Sequence, residues 1–256
     1  VSLRVGVTGA TGRMGQEVLD AAQSRDVDVA FAVNRDAETV RVAGIEVEPS
    51  SEFDRLVAER DVDVVVDFTG PASSTDYARA CADAGVPLVC GTTGFDESEL
   101  AILEEAGGEV PVLLGANFSR GVQALIGAVE SAVTSLPEYD IEVTETHHNQ
   151  KRDAPSGTAN VILDHIEDTR PDTGERVHGR EGDAPRQAGE IGVHARRAGD
   201  VTGEHEVLLA GNHEVLELTH RAGDRGVFAA GALDAAVWLV DQPAGFYRFT
   251  EVAADL

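Results

Sequence analysis

Up to about residue 118 the chain alternates short apolar runs with amphipathic stretches of helical period. Leu3 to Thr8 is apolar and rich in β-branched residues, and Val18, Leu19 and Ala22 follow it at helical spacing. Val27 to Val33, Val62 to Val66, Val86 to Val89 and Val110 to Leu114 predict four more strands. Helical patterns separate them: one after Ser51-x-x-Asp54, which reads like a capping box, one opened by Pro71, and one capped by Asp96-x-x-Glu99. This alternation predicts a Rossmann-like, doubly wound parallel sheet with helices on both faces.

From about residue 119 the pattern changes. Val122, Leu125, Ile126, Val129 and Val133 mark a long helix, and Ile141-x-Val143 an alternating strand that ends at His147. Residues 168–189, rich in Gly, Pro, Asp and Arg without a period, predict a long, mobile loop. The alternations at Ile191, Val193 and Ala195, at Val207 and Leu209, and at Leu216, Leu218 and His220 predict an antiparallel meander. The fold class is therefore α/β, with a C-terminal α+β domain built on a mainly antiparallel sheet. Val227 to Val240 is helical again and is expected to return to the first domain. Residues 1–119, completed by 226–256, form the expected dinucleotide-binding domain, and 120–225 the expected substrate-binding and oligomerisation domain. With two or three helices available there, a partner subunit is the expected cover for one sheet face.

The first strand runs into Gly9-Ala10-Thr11-Gly12-Arg13-Met14-Gly15 and then a helix. Gly9 is expected to turn the chain, Gly12 to admit a pyrophosphate, and Gly15 to let helix and strand pack closely. The second strand ends at Asn34-Arg35, where an acid would hold ribose hydroxyls. Asn34 does not repel a 2′-phosphate and Arg35 can pair with one, so the sequence leans toward NADPH, with NADH still used. An unliganded loop arginine is the alternative.

The densest chemistry lies in His147-His148-Asn149-Gln150-Lys151-Arg152-Asp153-Ala154-Pro155-Ser156-Gly157-Thr158. Lys151 is the only lysine among 20 basic residues. Arginine is always charged, whereas the proton of lysine can leave, so a lone lysine beside two histidines points to proton transfer. Pro155 is expected at the first position of a helix, leaving the Ser156, Gly157 and Thr158 amides to receive a carboxylate or phosphate. The alternatives on these residues alone are a surface lysine and a capped helix that binds nothing.

Composition narrows the partners. Forty-six acidic residues against 20 basic ones leave a net charge of −26, which repels nucleic acid and anionic membranes and resembles the surfaces of proteins from salt-saturated cytoplasm. No apolar run reaches a membrane span, and the first strand is not a secretory leader. Cys81 and Cys90 are not at metal-ligand spacing and both look structural, so no metal is expected and a reduced, cytoplasmic protein is.

Together Gly9 to Gly15, Asp67-Phe68-Thr69, Gly91-Thr92-Thr93-Gly94-Phe95, Ala116-Asn117-Phe118-Ser119, Glu145-Thr146-His147-His148 with Lys151, Asp153 to Thr158, and Arg197 to Asp200 with Gly203-Glu204-His205 resemble the dihydrodipicolinate reductase family. The resemblance implies reduction of 4-hydroxy-tetrahydrodipicolinate to tetrahydrodipicolinate in the diaminopimelate route to lysine, by a homotetramer. It implies that Gly9, Ala10, Thr11, Gly12, Arg13, Met14, Arg35, Gly91, Thr92, Thr93, Gly115, Ala116, Asn117 and Phe118 contact the nicotinamide dinucleotide. His147 would donate or accept a proton and Lys151 donate one, while His148, Gly157 and Thr158 bind the small dicarboxylate substrate. The chain departs from the family at Asn34, often an acid, and at Asn149-Gln150, often a basic pair. Rival readings are another two-domain NAD(P)-dependent dehydrogenase and a non-catalytic NADPH-binding sensor.

Overall fold

The computed structural model describes residues 2–25, 27–35, 40–253 and 255–256. Along the chain the elements are β1 (Leu3–Thr8), α1 (Arg13–Gln23), β2 (Val27–Asn34), β3 (Val40–Val42), β4 (Ile45–Pro49), α2 (Phe53–Glu59), β5 (Val64–Asp67), α3 (Pro71–Ala84), β6 (Leu88–Cys90), α4 (Glu97–Gly107) and β7 (Pro111–Leu114). Then follow α5 (Arg120–Ser135), β8 (Asp140–His147), α6 (Gly157–Thr169), β9 (Arg176–His178), β10 (Ile191–Arg197), β11 (Glu204–Gly211), β12 (Glu214–Arg221), α7 (Gly226–Leu239), β13 (Gly245–Arg248) and α8 (Phe249–Val252). They fall into two compact units, Val1–Ser119 with Arg225–Leu256, and Arg120–Asp224.

The first unit holds an eight-stranded sheet in the order β13-β7-β6-β5-β1-β2-β4-β3, parallel throughout except for β3 against β4. Alternation along β5 supplies two cores at once. Val64 and Val66 join Val5, Val7, Leu19 and Leu233 on the side of α1 and α7, while Val65 joins Phe53, Leu56, Tyr77 and Leu103 on the side of α2, α3 and α4. Strand β5 starts at Val64 rather than Val62, and Asp63 just before it exchanges hydrogen bonds with Arg4, its amide donating to the Arg4 carbonyl and its carboxylate accepting the Arg4 amide. Helix α7 is rich in small apolar residues and lies in the first of these cores through Ala229, Ala232, Leu233 and Ala236.

Asp96 and Glu99 form a reciprocal capping box on α4. Ser51 and Asp54 do not: a 3-10 turn over Ser50–Glu52 leads into α2, and no side chain caps it. The short β3, β4 and β13 are additions to the predicted strands: β3 and β4 alternate as a hairpin about Ala43-Gly44 and join the sheet through β2, and β13 joins it through β7.

The second unit carries α5 and α6 on a five-stranded sheet in the order β12-β11-β8-β10-β9. The ladders β8–β11 and β11–β12 are antiparallel, yet the three later strands are not a simple meander. Strand β8 lies between β10 and β11, and β10 runs parallel to it, because the chain returns to the sheet after α6 on the other side of β8. Residues 168–189 contain β9, paired with β10, and Arg186 ties the segment down through Glu142, the Ile141 carbonyl at 3.1 Å and the Glu190 carbonyl at 2.6 Å. The β11–β12 turn places Asn212 and His213 at φ of 46° and 66°, the twist that a two-residue hairpin requires.

Candidate active site

Strand parity builds the polar core of the second unit. Ile141 and Val143 point from β8 into the apolar layer under α5 and α6, and Glu145 and His147 continue the same row past its end. Register carries the change across the sheet: Glu145 lies opposite His205, His205 opposite His220, and His147 beside Arg197. One end of one face thus gathers a carboxylate, three imidazoles and a guanidinium.

Glu145 is 1% exposed and fully coordinated. It accepts a forked pair of hydrogen bonds from Arg197 at 2.7 and 2.8 Å, the Ser156 amide at 3.1 Å, and His147 Nδ1 at 2.6 Å. Burial pushes its carboxyl up, but Arg197 and His147 outweigh burial and hold it below the usual carboxylate range. An ionised carboxylate only accepts, so His147 carries its proton on Nδ1 and keeps the Nε2 lone pair free. Burial, helped by the charges of Lys151 and Arg197 and opposed by Glu145, pushes His147 below the usual histidine range, so it is neutral at pH 7. Its Nε2 faces Gly203, where a Cβ would stand only 3.1 Å away.

Lys151 sits in a turn after His147, with its amide on the His148 carbonyl and its ammonium 2.9 Å from Asp153. Partial burial opposes ionisation of Asp153, and Lys151 overcomes it, holding that carboxyl below its usual range. His148 is half-buried, while Arg152 and Asp153 are exposed.

Helix α6 begins at Gly157, not at Pro155, and its N-cap is Ser156. Ser156 is buried, its hydroxyl accepts the Ala159 amide at 3.1 Å, and the same oxygen lies 3.1 Å from His205 Nε2. Its amide is held by Glu145. Ser156 therefore positions the helix start, and the free end of that start is Gly157, which is exposed and has open space where a Cβ would stand. Thr158 follows, half-buried.

The cofactor candidates of the first unit share the carboxyl edge of its sheet. Gly9 to Met14 follow β1, Asn34 and Arg35 end β2, Gly91 to Thr93 follow β6 and Gly115 to Phe118 follow β7, all on strands of the series β7-β6-β5-β1-β2. The strand order turns back beside β1, where open α/β sheets bind ligands. Gly9 is at φ +66°, and a Cβ on Gly15 would fall 2.2 Å from the Gly9 carbonyl oxygen, so both glycines are required by the turn and the close packing. Gly12 is the exposed N-cap of α1, whose first turn carries no acid. Arg35 is exposed, with Nη2 3.3 Å from the Ser73 hydroxyl. Ala10, Thr92 and Phe118 bury their side chains: Thr92 bonds to Asp67 at 3.1 Å, and the Phe118 ring packs against Phe68 and Phe249. Asn117 turns its Oδ1 onto the Ser119 amide at 2.8 Å, and Thr93 and Ala116 are exposed.

Three polar residues of the second unit, Glu145, Arg197 and His205, have no assigned role in the sequence reading although their segments are quoted in it. The alternation that placed Val143 inward also places Glu145 beside His147, and that signal was available. The partnership with Arg197 depends on β10 lying beside β8. Neither cysteine offers a nucleophile: burial pushes both thiols up, and Cys81 and Cys90 are fully enclosed in the sheet–helix core.

Known proteins match nearly the whole chain. Residues 3–118 match the family "Dihydrodipicolinate reductase, N-terminus" and residues 121–253 match "Dihydrodipicolinate reductase, C-terminus". A 4-hydroxy-tetrahydrodipicolinate reductase of Haloarcula marismortui is 55% identical over 97% of this chain and 98% of its own. One of Natronomonas pharaonis is 53% identical over 97% and 99%. A dipicolinate-bound dihydrodipicolinate reductase from Paenisporosarcina superposes with a TM-score of 0.79 at 23% identity, covering 98% of this chain and 100% of that one. Two family matches that together span both units, and relatives more than half identical along almost their full length, place this chain in the dihydrodipicolinate reductase family of enzymes.

Proposed function

We propose that the chain reduces 4-hydroxy-tetrahydrodipicolinate to tetrahydrodipicolinate with loss of water, in the diaminopimelate route to lysine, using NADPH in preference to NADH. The observation that carries this reading is the buried Glu145–His147 pair beside the only lysine and the open N-terminus of α6. The carboxyl edge of the first unit suits a nicotinamide dinucleotide: the Gly9 turn, the exposed Gly12 at the start of an 11-residue helix, and Asn34 in place of an acid with the exposed Arg35 after it. When bound, the dinucleotide supplies the hydride.

The second unit's residues hold the dicarboxylate and move protons. The Gly157 and Thr158 amides, the Thr158 hydroxyl, His148 and Lys151 bind the carboxylates, and Gly157 leaves room for close approach. Loss of water removes a proton from the ring carbon next to the hydroxyl-bearing one, and the Nε2 lone pair of His147 accepts it. Lys151 donates a proton to the departing hydroxyl and is reprotonated by solvent. Once hydride has reached the carbon that lost the hydroxyl, His147 returns its proton to the neighbouring carbon. The balance is one hydride and one solvent proton taken up and one water released.

We further read the enzyme as cytoplasmic, adapted to molar salt, and homotetrameric. The acidic excess supports the salt adaptation, and the face of the second sheet turned away from α5 and α6, with Val215 58% exposed, supports assembly. The deciding assay follows NADPH absorbance after addition of 4-hydroxy-tetrahydrodipicolinate, for wild type and Lys151→Ala. The reading requires substrate-dependent oxidation that Lys151→Ala lowers far more than it lowers NADPH affinity. No turnover in the wild type, or equal losses in both quantities, sinks it.

A further inference from the structure

Asp67 ends β5 in the centre of the first unit's sheet, and its carboxylate is fully buried. Its partners are hydroxyls and a thiol rather than a guanidinium or ammonium. Thr8 Oγ1 donates to Oδ1 at 2.5 Å and Thr69 Oγ1 to the same oxygen at 2.7 Å; Ser74 Oγ donates to Oδ2 at 2.5 Å and Thr92 Oγ1 at 3.1 Å, with Cys90 Sγ at 3.6 Å. A buried carboxylate is costly unless its lone pairs are filled, and here five donors fill them.

The donors matter for where they sit. Thr8 is the residue before Gly9, Thr69 belongs to the turn after β5, Ser74 to the first turn of α3, and Thr92 to the loop after β6. Second-layer bonds close the set: the Thr69 amide donates to Thr92 Oγ1 at 3.1 Å, and the Gly91 amide to the Asp67 carbonyl at 2.7 Å. Gly9 and Gly91 are packed against Thr69 and Phe68 so closely that a Cβ on either would clash. The loops joined to this one carboxylate include two of the segments read above as cofactor-binding.

We propose that Asp67 is a positioning residue for the nicotinamide dinucleotide: it acts through Thr8, Thr69 and Thr92 to hold the loops after β1, β5 and β6 in the arrangement that binds the cofactor. The inference rests on the reading that the first unit binds that cofactor. An amide in place of the carboxylate keeps the volume but turns one acceptor atom into a donor facing hydroxyls already committed as donors, so the loops must rearrange.

The test uses the full chain in molar salt and measures NADPH binding directly by fluorescence, together with kcat, the KM for 4-hydroxy-tetrahydrodipicolinate and the unfolding midpoint. Asp67→Asn is expected to weaken NADPH binding by about tenfold or more, the scale of a buried hydrogen bond left unmade, while the substrate KM stays within about twofold. Because the network is buried, the loss persists from low to high salt. Thr8→Val, which removes one donor at constant volume, weakens NADPH binding in the same direction, and Thr8→Ser restores it; this pair decides the matter if Asp67→Asn does not fold. Folded Asp67→Asn that binds NADPH like the wild type, or Thr8→Val and Thr8→Ser that bind it alike, overturns the inference. A lower unfolding midpoint with unchanged NADPH affinity overturns it too, since Asp67 would then serve stability alone. A wild-type chain that binds no nicotinamide dinucleotide overturns the functional reading itself, and this inference with it.

Discussion

Glu145 Oε2 lies 2.6 Å from His147 Nδ1, two residues along the same strand, because alternate side chains of β8 share a face and Arg197 holds the carboxylate between them. The pair fixes the imidazole's orientation and its tautomer, and leaves Nε2 free for chemistry.

Glu145→Gln is expected to lower kcat on the order of a hundredfold, the low end of what general acid–base catalysis contributes, with NADPH affinity unchanged. In the wild type the acid limb of kcat/KM is expected below the ordinary histidine range, since a His147 that accepts a proton must start neutral. Glu145 raises the pKa of His147, so in the variant the acid limb moves to still lower pH. A variant with wild-type kcat and an unmoved acid limb would mean that Glu145 does not act through His147.

Stability follows His205. Burial, with the neighbouring His147 adding to it, depresses its pKa from 6.5 in the unfolded chain to about 4. The folded state therefore keeps His205 neutral where the unfolded chain binds a proton, and stability present above pH 6.5 is lost as pH falls toward about 4. A shift from 6.5 to about 4 corresponds to about 3 kcal/mol. Urea unfolding in molar salt across this range should show the decline, and His205→Gln should flatten it. Parallel slopes in the two proteins would remove His205 from the account.

Gly203 lies against the nitrogen proposed to accept the proton. A Cβ there would come within 3.1 Å of His147 Nε2, and His147 cannot withdraw because Glu145 holds its other nitrogen. Gly203→Ala is expected to reduce kcat about tenfold through misplacement of the imidazole, with NADPH affinity and the unfolding midpoint nearly unchanged. Steady-state kinetics beside a thermal melt would check this, and an unaltered kcat would show that Nε2 works on another side.

Cofactor choice is expected to rest on Arg35. A charge-assisted hydrogen bond from its guanidinium to a 2′-phosphate is worth about 1.5–3 kcal/mol, and molar salt screens this exposed group toward the low end. NADPH is expected to be preferred by a modest factor, and Arg35→Ala to erase most of that preference while sparing NADH kinetics. Equal harm to both cofactors, or a wild type that prefers NADH, would contradict it.

Assembly should depend on the second sheet. Light scattering in molar salt is expected to report a closed tetramer, and a charge placed at the exposed Val215 to weaken it. Only monomer in molar salt would count against this; low salt is a poor test, because the charge of −26 per chain drives copies apart.

Local pattern carried much of this protein. The apolar runs ending at Thr8, Val66 and Leu114, the Gly9–Gly15 turn and the Asp96–Glu99 cap are dictated by residues close together in the chain, and the sequence by itself determined them along with the parallel sheet they build. The sequence also singles out Lys151 as its only lysine, in the turn that follows His147, and this is where the structure places it. The tertiary structure alone decided what surrounds them. Helix α6 starts at Gly157 because Glu145 and His205 engage Ser156, and those partners come from strands 11 and 49 positions away. Strand β10 lies beside β8, which brings Arg197 onto Glu145, and burial in this packed end of the sheet depresses the pKa of His147. Asp67 meets Thr8 and Thr92 for the same reason: a hydrogen bond between strands depends on which strands are neighbours, and neither periodicity nor propensity within one strand records that order.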